Sequence, residues 1–319
     1  MKLLPSFMYP GPIYVLGAMA LAVALDGLYP YHSGLMLTIH PVHTSFSLAS
    51  RLYRPRGSKA RGLAIWLAVV AGHLALYGTA LYLAWLVGPL AWVIVAAYIV
   101  KTSLSLRLLL DTVEDVGRAL GAGRLDEARV KAQGLVRRDL SGEDEGHVAS
   151  AAVESLAESL VDGFSSTLFW LSLLGPIGAL LQRVVNTLDG ALGYRDPEHK
   201  DIGLVSAVAD TIINYVPARL TALFITLASQ AGGGSLRRAL YSWIACRGLT
   251  ESRNAGHPMS AMAGALGVKL EKRGHYALCP DAGAMPTASD IDSALRVSIA
   301  VAALWAVIVS IVVIALASF

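Results

Sequence analysis

The chain has 319 residues, 55% of them hydrophobic and only 15% charged, with 26 Lys and Arg set against 23 Asp and Glu for a formal net charge of +3. Soluble domains carry about a quarter charged residues, and a mean hydropathy of +0.56 points away from that class. The near-balanced charge, without a basic run interleaved with aromatics, argues against nucleic-acid binding. The two cysteines, Cys246 and Cys279, lack CxxC and Cys/His spacing, which argues against a disulfide framework or structural zinc. Two free thiols fit a loop in a reducing compartment.

A spanning helix needs about 20 mostly apolar residues. The first candidate is Ile13 to Tyr29. It is followed by a basic stretch with Arg51, Arg54, Arg56, Lys59 and Arg61. Leu63 to Val87 and Leu90 to Leu110 form two more spans with Gly88-Pro89 as the turn between them. Asp111 to Val161 reads as a soluble helical insert. Asp111 to Leu120 and Leu125 to Arg138 have helical spacing, broken at Gly121 to Gly123, and Ser141 to Gly146 forms a polar turn.

Two apolar stretches come next, both interrupted. Phe164 to Val185 contains Gly175-Pro176. Leu204 to Ala228 contains Asp210, Asn214, Pro217 and Arg219. Broken segments at membrane depth line a site more readily than they face lipid, because the freed backbone groups need protein, water or ligand. Gly232 to Gly234 leads into a second polar region, Ser235 to Asp292, in which Met259 to Leu270 reads as a short packed helix. Ala294 to Leu316 is the clearest span. The fold class is therefore all-α: a polytopic helical membrane protein with broken or re-entrant segments. It forms a single membrane domain over 1–319, with a helical insert at 111–162 and a polar loop region at 230–293.

Basic residues mark cytoplasmic loops. The Arg51–Arg61 stretch is then inside, the N-terminus and Gly88-Pro89 outside, and the insert inside. If both broken segments span, the loop holding Arg195 lies outside; if both are re-entrant, it lies inside.

Glu154, Glu158 and Asp162 stand at i, i+4 and i+8, on one face of a regular helix. Three like charges so close call for a cation or a basic group, and carboxylates with free positions suit Mg²⁺ when a nucleotide supplies the remaining ligands. A solvated acidic face is the competing reading. Asn186 and Asp189, with Arg195 shortly after, close the first broken segment as pocket residues or interfacial caps. Asp210 and Asn214 are again i, i+4 inside the second, where ionisable groups pair or line a pathway. Arg219 offers a bidentate fork to phosphate or carboxylate; a structural Asp–Arg pair is the alternative. His40 follows the first span, Asp26 lies late within it, and Asn254 sits in a polar loop. No Walker loop, GxSxG elbow, HExxH or dinucleotide fingerprint is present. The residues define a polar, metal-assisted site in a membrane protein and do not choose between enzyme and transporter.

Eight stretches in order resemble the CbiB/CobD family of cobalamin biosynthesis. They are LDGLYP around Asp26, HPV at His40 to Val42, RRD at Arg137 to Asp139, AAVESLAESLVDG from Ala151 to Gly163, LFW at Leu168 to Trp170, NTLDGALGYR from Asn186 to Arg195, NYVPARLTAL from Asn214 to Leu223, and RNAGHPMSAMAGALGVKL from Arg253 to Leu270. The resemblance covers nearly the whole chain. It implies an adenosylcobinamide-phosphate synthase, which uses ATP to join adenosylcobyric acid to the amine of aminopropanol phosphate. The expected catalytic residues are Glu154, Glu158, Asp162 and Asp189, the first three also holding Mg²⁺. His40, Asn186, Arg195, Asp210, Asn214, Arg219 and Asn254 are expected to bind substrate. The expected partners are the corrinoid, an amino-alcohol phosphate, membrane lipid and a second copy of the chain, with the site facing the cytoplasm of the cell membrane.

The sequence departs from the family pattern at Ser159, where Asn is usual. Thr211 replaces a second acid, Val208 replaces an Arg, and Arg253 and His257 replace Pro and Trp. The GDP-like residues that precede HPV are missing around Ser33 to Leu37. These departures favour one other class, a non-catalytic membrane sensor resembling AmpE, and the broken helices permit another, a corrinoid transporter.

Overall fold

The computed structural model describes residues 5–194 and 196–317. The chain runs as α1 (Pro12–Leu28), α2 (Gly34–Thr38), α3 (Pro41–Leu52), α4 (Lys59–Val87), α5 (Pro89–Ser103), α6 (Leu106–Gly121), α7 (Leu125–Gln133) and α8 (Glu145–Leu160). A π-helical turn (Val161–Ser165) leads into α9 (Ser166–Leu192), α10 (Leu204–Ile213) and α11 (Tyr215–Ala228). A 3-10 turn (Ser229–Gly232) precedes α12 (Leu236–Cys246) and α13 (Gly256–Leu266). The strands β1 (Leu270–Lys272) and β2 (Tyr276–Leu278) pair antiparallel, and α14 (Ala288–Ala317) closes the chain.

Four helical stretches among the described residues are long and apolar enough to cross a membrane: Lys59–Val87, Pro89–Gly121, Glu145–Leu192 and Ala288–Leu316. The bent pair Leu204–Ile213 and Tyr215–Gly232 adds a broken one, and α1 is a shorter apolar helix. The protein is thus an all-α polytopic membrane protein. Its outward apolar side chains, such as Leu76, Leu83 and Val87 on α4 and Ile299, Val307 and Ile311 on α14, are exposed as lipid-facing groups should be.

The described residues fall into two compact units. The first comprises Met1–Ser105, Asp162–Asn214 and Ala306–Phe319; the second comprises Leu106–Val161 and Tyr215–Trp305.

In the first unit α9 lies at the centre, packed by α3, α4, α5 and α10, while α1 packs on α5. Although α9 passes as one long helix by length, it is folded in two. Thr167 Oγ1 donates to Gln182 Oε1 at 2.9 Å. Fifteen residues of straight helix would hold those positions roughly 22 Å apart. The fold-back occurs at Gly175-Pro176. Gly175 takes φ +66°, and a Cβ there would lie 2.4 Å from the Met8 carbonyl oxygen, so only glycine fits. Pro176 supplies no N–H to continue the helix. The hairpin places the Asp162 end and the Leu192 end on the same side.

The loop after α9 is tied to the basic stretch before α4. Arg56 N donates to Glu198 O at 2.8 Å, the Tyr53 ring stacks on His199 at 4.5 Å, and Lys59 pairs with Asp201 at 3.8 Å. The loop that follows position 195 therefore lies on the same side as the basic stretch. A helix folded back on itself in this way has the form that a re-entrant segment takes.

In the second unit α6 packs on α7 and α8, α13 packs on α11, α12 and α8, and the β1–β2 hairpin lies against α8 and α13. Asp144 caps α8 by accepting from His147 N at 3.0 Å. Of the expected insert helices, Asp111 to Leu120 lies within α6, whereas α7 stops at Gln133, short of Arg138; the helix expected over Met259 to Leu270 is α13, which ends at Leu266, and Leu270 opens β1 instead.

Candidate functional site

The first unit gathers polar side chains inside its helices. Asp26 on α1 meets Lys101 on α5 at 3.6 Å. Arg183, on the returning arm of α9, donates to the Ser103 carbonyl through Nε at 2.7 Å and Nη2 at 2.5 Å. Its Nη1 reaches Asn186 Oδ1 at 3.4 Å. Asn186 Nδ2 and Asn214 Nδ2 both donate to Asp210 Oδ1, at 3.1 and 2.9 Å. Gln182 Nε2 donates to the Asp162 carbonyl at 3.2 Å and lies 3.4 Å from Asn214 Oδ1. The guanidinium of Arg183 also feels the charges of Asp162, Asp26 and Asp210. Buried in an apolar bundle, these charges are stable only in mutual company.

Of the expected residues, Asn186, Asp210 and Asn214 are thus brought together, with Asp162 nearby. Asp189 lies one turn beyond Asn186, and its carboxylate lies so close to Gly193 that a Cβ there would stand 1.9 Å from Oδ1. His40 serves as the N-cap of α3, its Nδ1 accepting from Val42 N at 3.2 Å, with its ring 4.5 Å from that of His32. Position Arg195 lies outside the described residues.

The second unit holds the acidic helix. Glu154 is 4% exposed. It accepts from Ser150 Oγ at 2.6 Å, Tyr276 Oη at 2.8 Å and Arg138 Nη1 at 3.2 Å. Burial, and then the Glu154 charge, push the Tyr276 phenol above its ordinary range, so it remains a donor. Ser150 is held in turn by the Glu271 N–H at 2.8 Å. Glu158, one turn on, is exposed.

The three acids at i, i+4, i+8 do not form a metal cluster. Among the described residues no three His, Cys, Asp or Glu side chains could together hold a metal ion. One reason is that Glu154 is already neutralised. The other is that Asp162 stands in the π-helical turn, where the residues per turn depart from 3.6 and the face is no longer continued.

The same unit has a cationic cluster. Arg219 on α11 donates to Tyr215 O at 2.6 Å and Asn254 Oδ1 at 3.1 Å, and its guanidinium lies over the Tyr215 ring at 3.4 Å. The charges of Arg219 and Arg247 both act on His257, whose pKa is pushed down to about 4 by burial and then by those two arginines. Trp243 Nε1 donates to His257 Nδ1 at 3.0 Å, which leaves the ring proton on Nε2. Among the described residues neither arginine has a carboxylate partner.

Sequence reasoning missed Lys101, Gln182, Arg183, Arg138, Arg247 and Tyr276. For Lys101 and Arg183 the signal was present: each is a cation inside an apolar stretch, and such residues mark polar interiors. It also missed the pairing of Cys246 with Cys279, whose sulfurs lie 3.1 Å apart with burial pushing the Cys279 thiol up to about 12.

An all-α membrane protein with ionisable groups gathered inside its helix bundles, and a cationic cluster on a polar unit, is the class defined here. The chain belongs to the CobD/CbiB protein family, whose model matches residues 19–298. It is 47% identical over 302 residues to the probable cobalamin biosynthesis protein CobD of Aeropyrum pernix, covering 94% of each chain. It is 35% identical over 268 residues to the protein of the same name from Thermoplasma volcanium, covering 81% of this chain and 85% of the relative. Against the cobalamin biosynthesis protein CobD of Dehalococcoides mccartyi the figures are 36% over 248 residues, 76% and 80%. No solved structure matches the chain.

Proposed function

We propose that this protein acts in cobalamin biosynthesis as an ATP-dependent amide-forming ligase, joining the free propionate of adenosylcobyric acid to the amine of aminopropanol phosphate. Family membership supports the pathway. The observation that carries the chemistry is the pair of arginines, Arg219 and Arg247, around a neutral His257 with no carboxylate partner among the described residues. Two guanidiniums without a carboxylate partner among the described residues suit a phosphate group, and both the nucleotide and the amino-alcohol phosphate carry one.

A carboxylate is a poor acyl donor at neutral pH. Transfer of the γ-phosphoryl group of ATP to the propionate oxygen gives an acyl phosphate and ADP. Attack of the amine on that carbonyl forms the amide and releases inorganic phosphate, with the amine proton passing to a base. Glu158, exposed on α8, is the candidate for orienting the amine and taking that proton. Glu154 positions α8 through Arg138 and Tyr276 rather than reacting. Magnesium enters this reading as the counter-ion of the nucleotide, part of the substrate. The basic Arg51–Arg61 stretch marks its side as cytoplasmic, and the loop tied to it shares that side, where ATP is found.

The test is a ligase assay on detergent-solubilised protein with adenosylcobyric acid, aminopropanol phosphate, ATP and Mg²⁺, read by mass. An amide product that is lost in Glu158→Gln supports the reading. Folded protein without product across several amino-alcohol phosphates overturns it in favour of a sensor.

A further inference from the structure

Helix α12 was read from sequence as part of a polar loop region, yet it carries an uncovered apolar face. Leu236, Leu240 and Ile244 stand four residues apart, and Tyr241 lies beside them. They are 41%, 38%, 56% and 70% exposed, and Leu249 continues the patch just beyond the helix. The opposite side, with Ala239, Ser242 and Cys246, is buried. Arg238 fixes the helix against α13 by donating to Gly264 O at 2.7 Å and Ala265 O at 3.1 Å. The apolar face is therefore held outward.

We propose that α12 lies in the plane of the membrane surface, with this face sunk into the boundary between headgroups and acyl chains. Three observations select a lipid surface. First, α12 follows the candidate broken span Tyr215–Gly232 after only Gly233, Gly234 and Ser235, and three residues reach at most about 10 Å. Its start is therefore tethered near a membrane face whether that segment spans or returns. Second, its 11 residues extend only about 16 Å, too short to cross. Third, exposed Arg237 stands at its start and Tyr241 on its face; a basic and an aromatic residue placed so suit phosphate headgroups and the interface. The inference is independent of the ligase reading.

The test uses the full chain reconstituted in phosphatidylcholine–phosphatidylglycerol vesicles. A nitroxide is attached at Leu240→Cys, Ile244→Cys or, as a solvent control on α7, Asp126→Cys, whose native side chain is 96% exposed. Cys246 and Cys279 are buried and stay in place. Collision with oxygen, which partitions into lipid, is compared with collision with a water-soluble nickel chelate. The expected result is a severalfold higher oxygen-to-nickel ratio at 240 and 244 than at 126. Nickel access at both positions equal to that at 126 overturns the proposal. Protection from both reagents also overturns it, and assigns the face to a protein partner.

Discussion

Asp26 and Lys101 form an ion pair at 3.6 Å, with only 5% of each side chain exposed. Neither charge is tolerable alone in an apolar bundle, since removing one partner strands the other. Lys101→Met should therefore cost about 3–5 kcal/mol, read as a fall in unfolding temperature in detergent. The double variant Asp26→Asn with Lys101→Met should recover most of that loss. If the two single losses simply add, the pair is not the reason for either burial.

Glu154 and Glu158 are one turn apart but have different surroundings, and their variants should separate stability from activity. Glu154→Gln leaves Arg138 without its charge partner in a buried setting, and should destabilise the fold by about 3 kcal/mol. Glu158→Gln alters an exposed side chain, and its unfolding temperature should stay near that of the native protein. Its ligase kcat should fall by about 10²-fold or more, as for loss of a positioned acid–base group. Equal losses of stability in the two variants would contradict the division of roles.

The hairpin in α9 brings Thr167 and Gln182 within 2.9 Å. Cysteines introduced at both positions should cross-link with a short bifunctional reagent in the folded protein. A straight helix would hold them roughly 22 Å apart, beyond such a reagent. Gly175→Val should abolish the cross-link or the fold, because φ +66° excludes a branched side chain. Mass analysis of tryptic fragments reads both outcomes.

Much of this architecture was legible in the sequence, because membrane spans are long, apolar and punctuated by few residues. Gly88-Pro89 and Gly175-Pro176 gave the two sharp turns, and the polar insert stood out by composition. What the sequence did not carry was the contact between distant elements. Nothing in the spacing of Asp26 and Lys101, or of Cys246 and Cys279, says that they meet. The i, i+4, i+8 spacing of the acids presumes an uninterrupted α-helix, whereas Asp162 stands in the π-helical turn Val161–Ser165, which no periodicity announces. The contact between Asp210 and Asn214 was legible in their i, i+4 spacing because both fall within one short helix and its cap.

His257 gives a pH test of the cationic cluster. Its ordinary pKa is 6.5, and in the folded protein burial and the charges of Arg219 and Arg247 lower it to about 4. Between those values the unfolded chain binds a proton that the folded protein does not, so stability must fall as pH falls through this window. The contribution is fully present above pH 6.5 and gone below about 4. Carboxylates held below their ordinary range, such as Asp144 and Asp196, add losses only from their own acidic range downward. His257→Gln removes the titrating ring while keeping an acceptor for Trp243. Native protein should lose more unfolding temperature than this variant between pH 6.5 and 4.5, with parallel curves above neutrality. Curves that stay parallel through the acid window would mean that His257 titrates normally, and that the two arginines do not press on it.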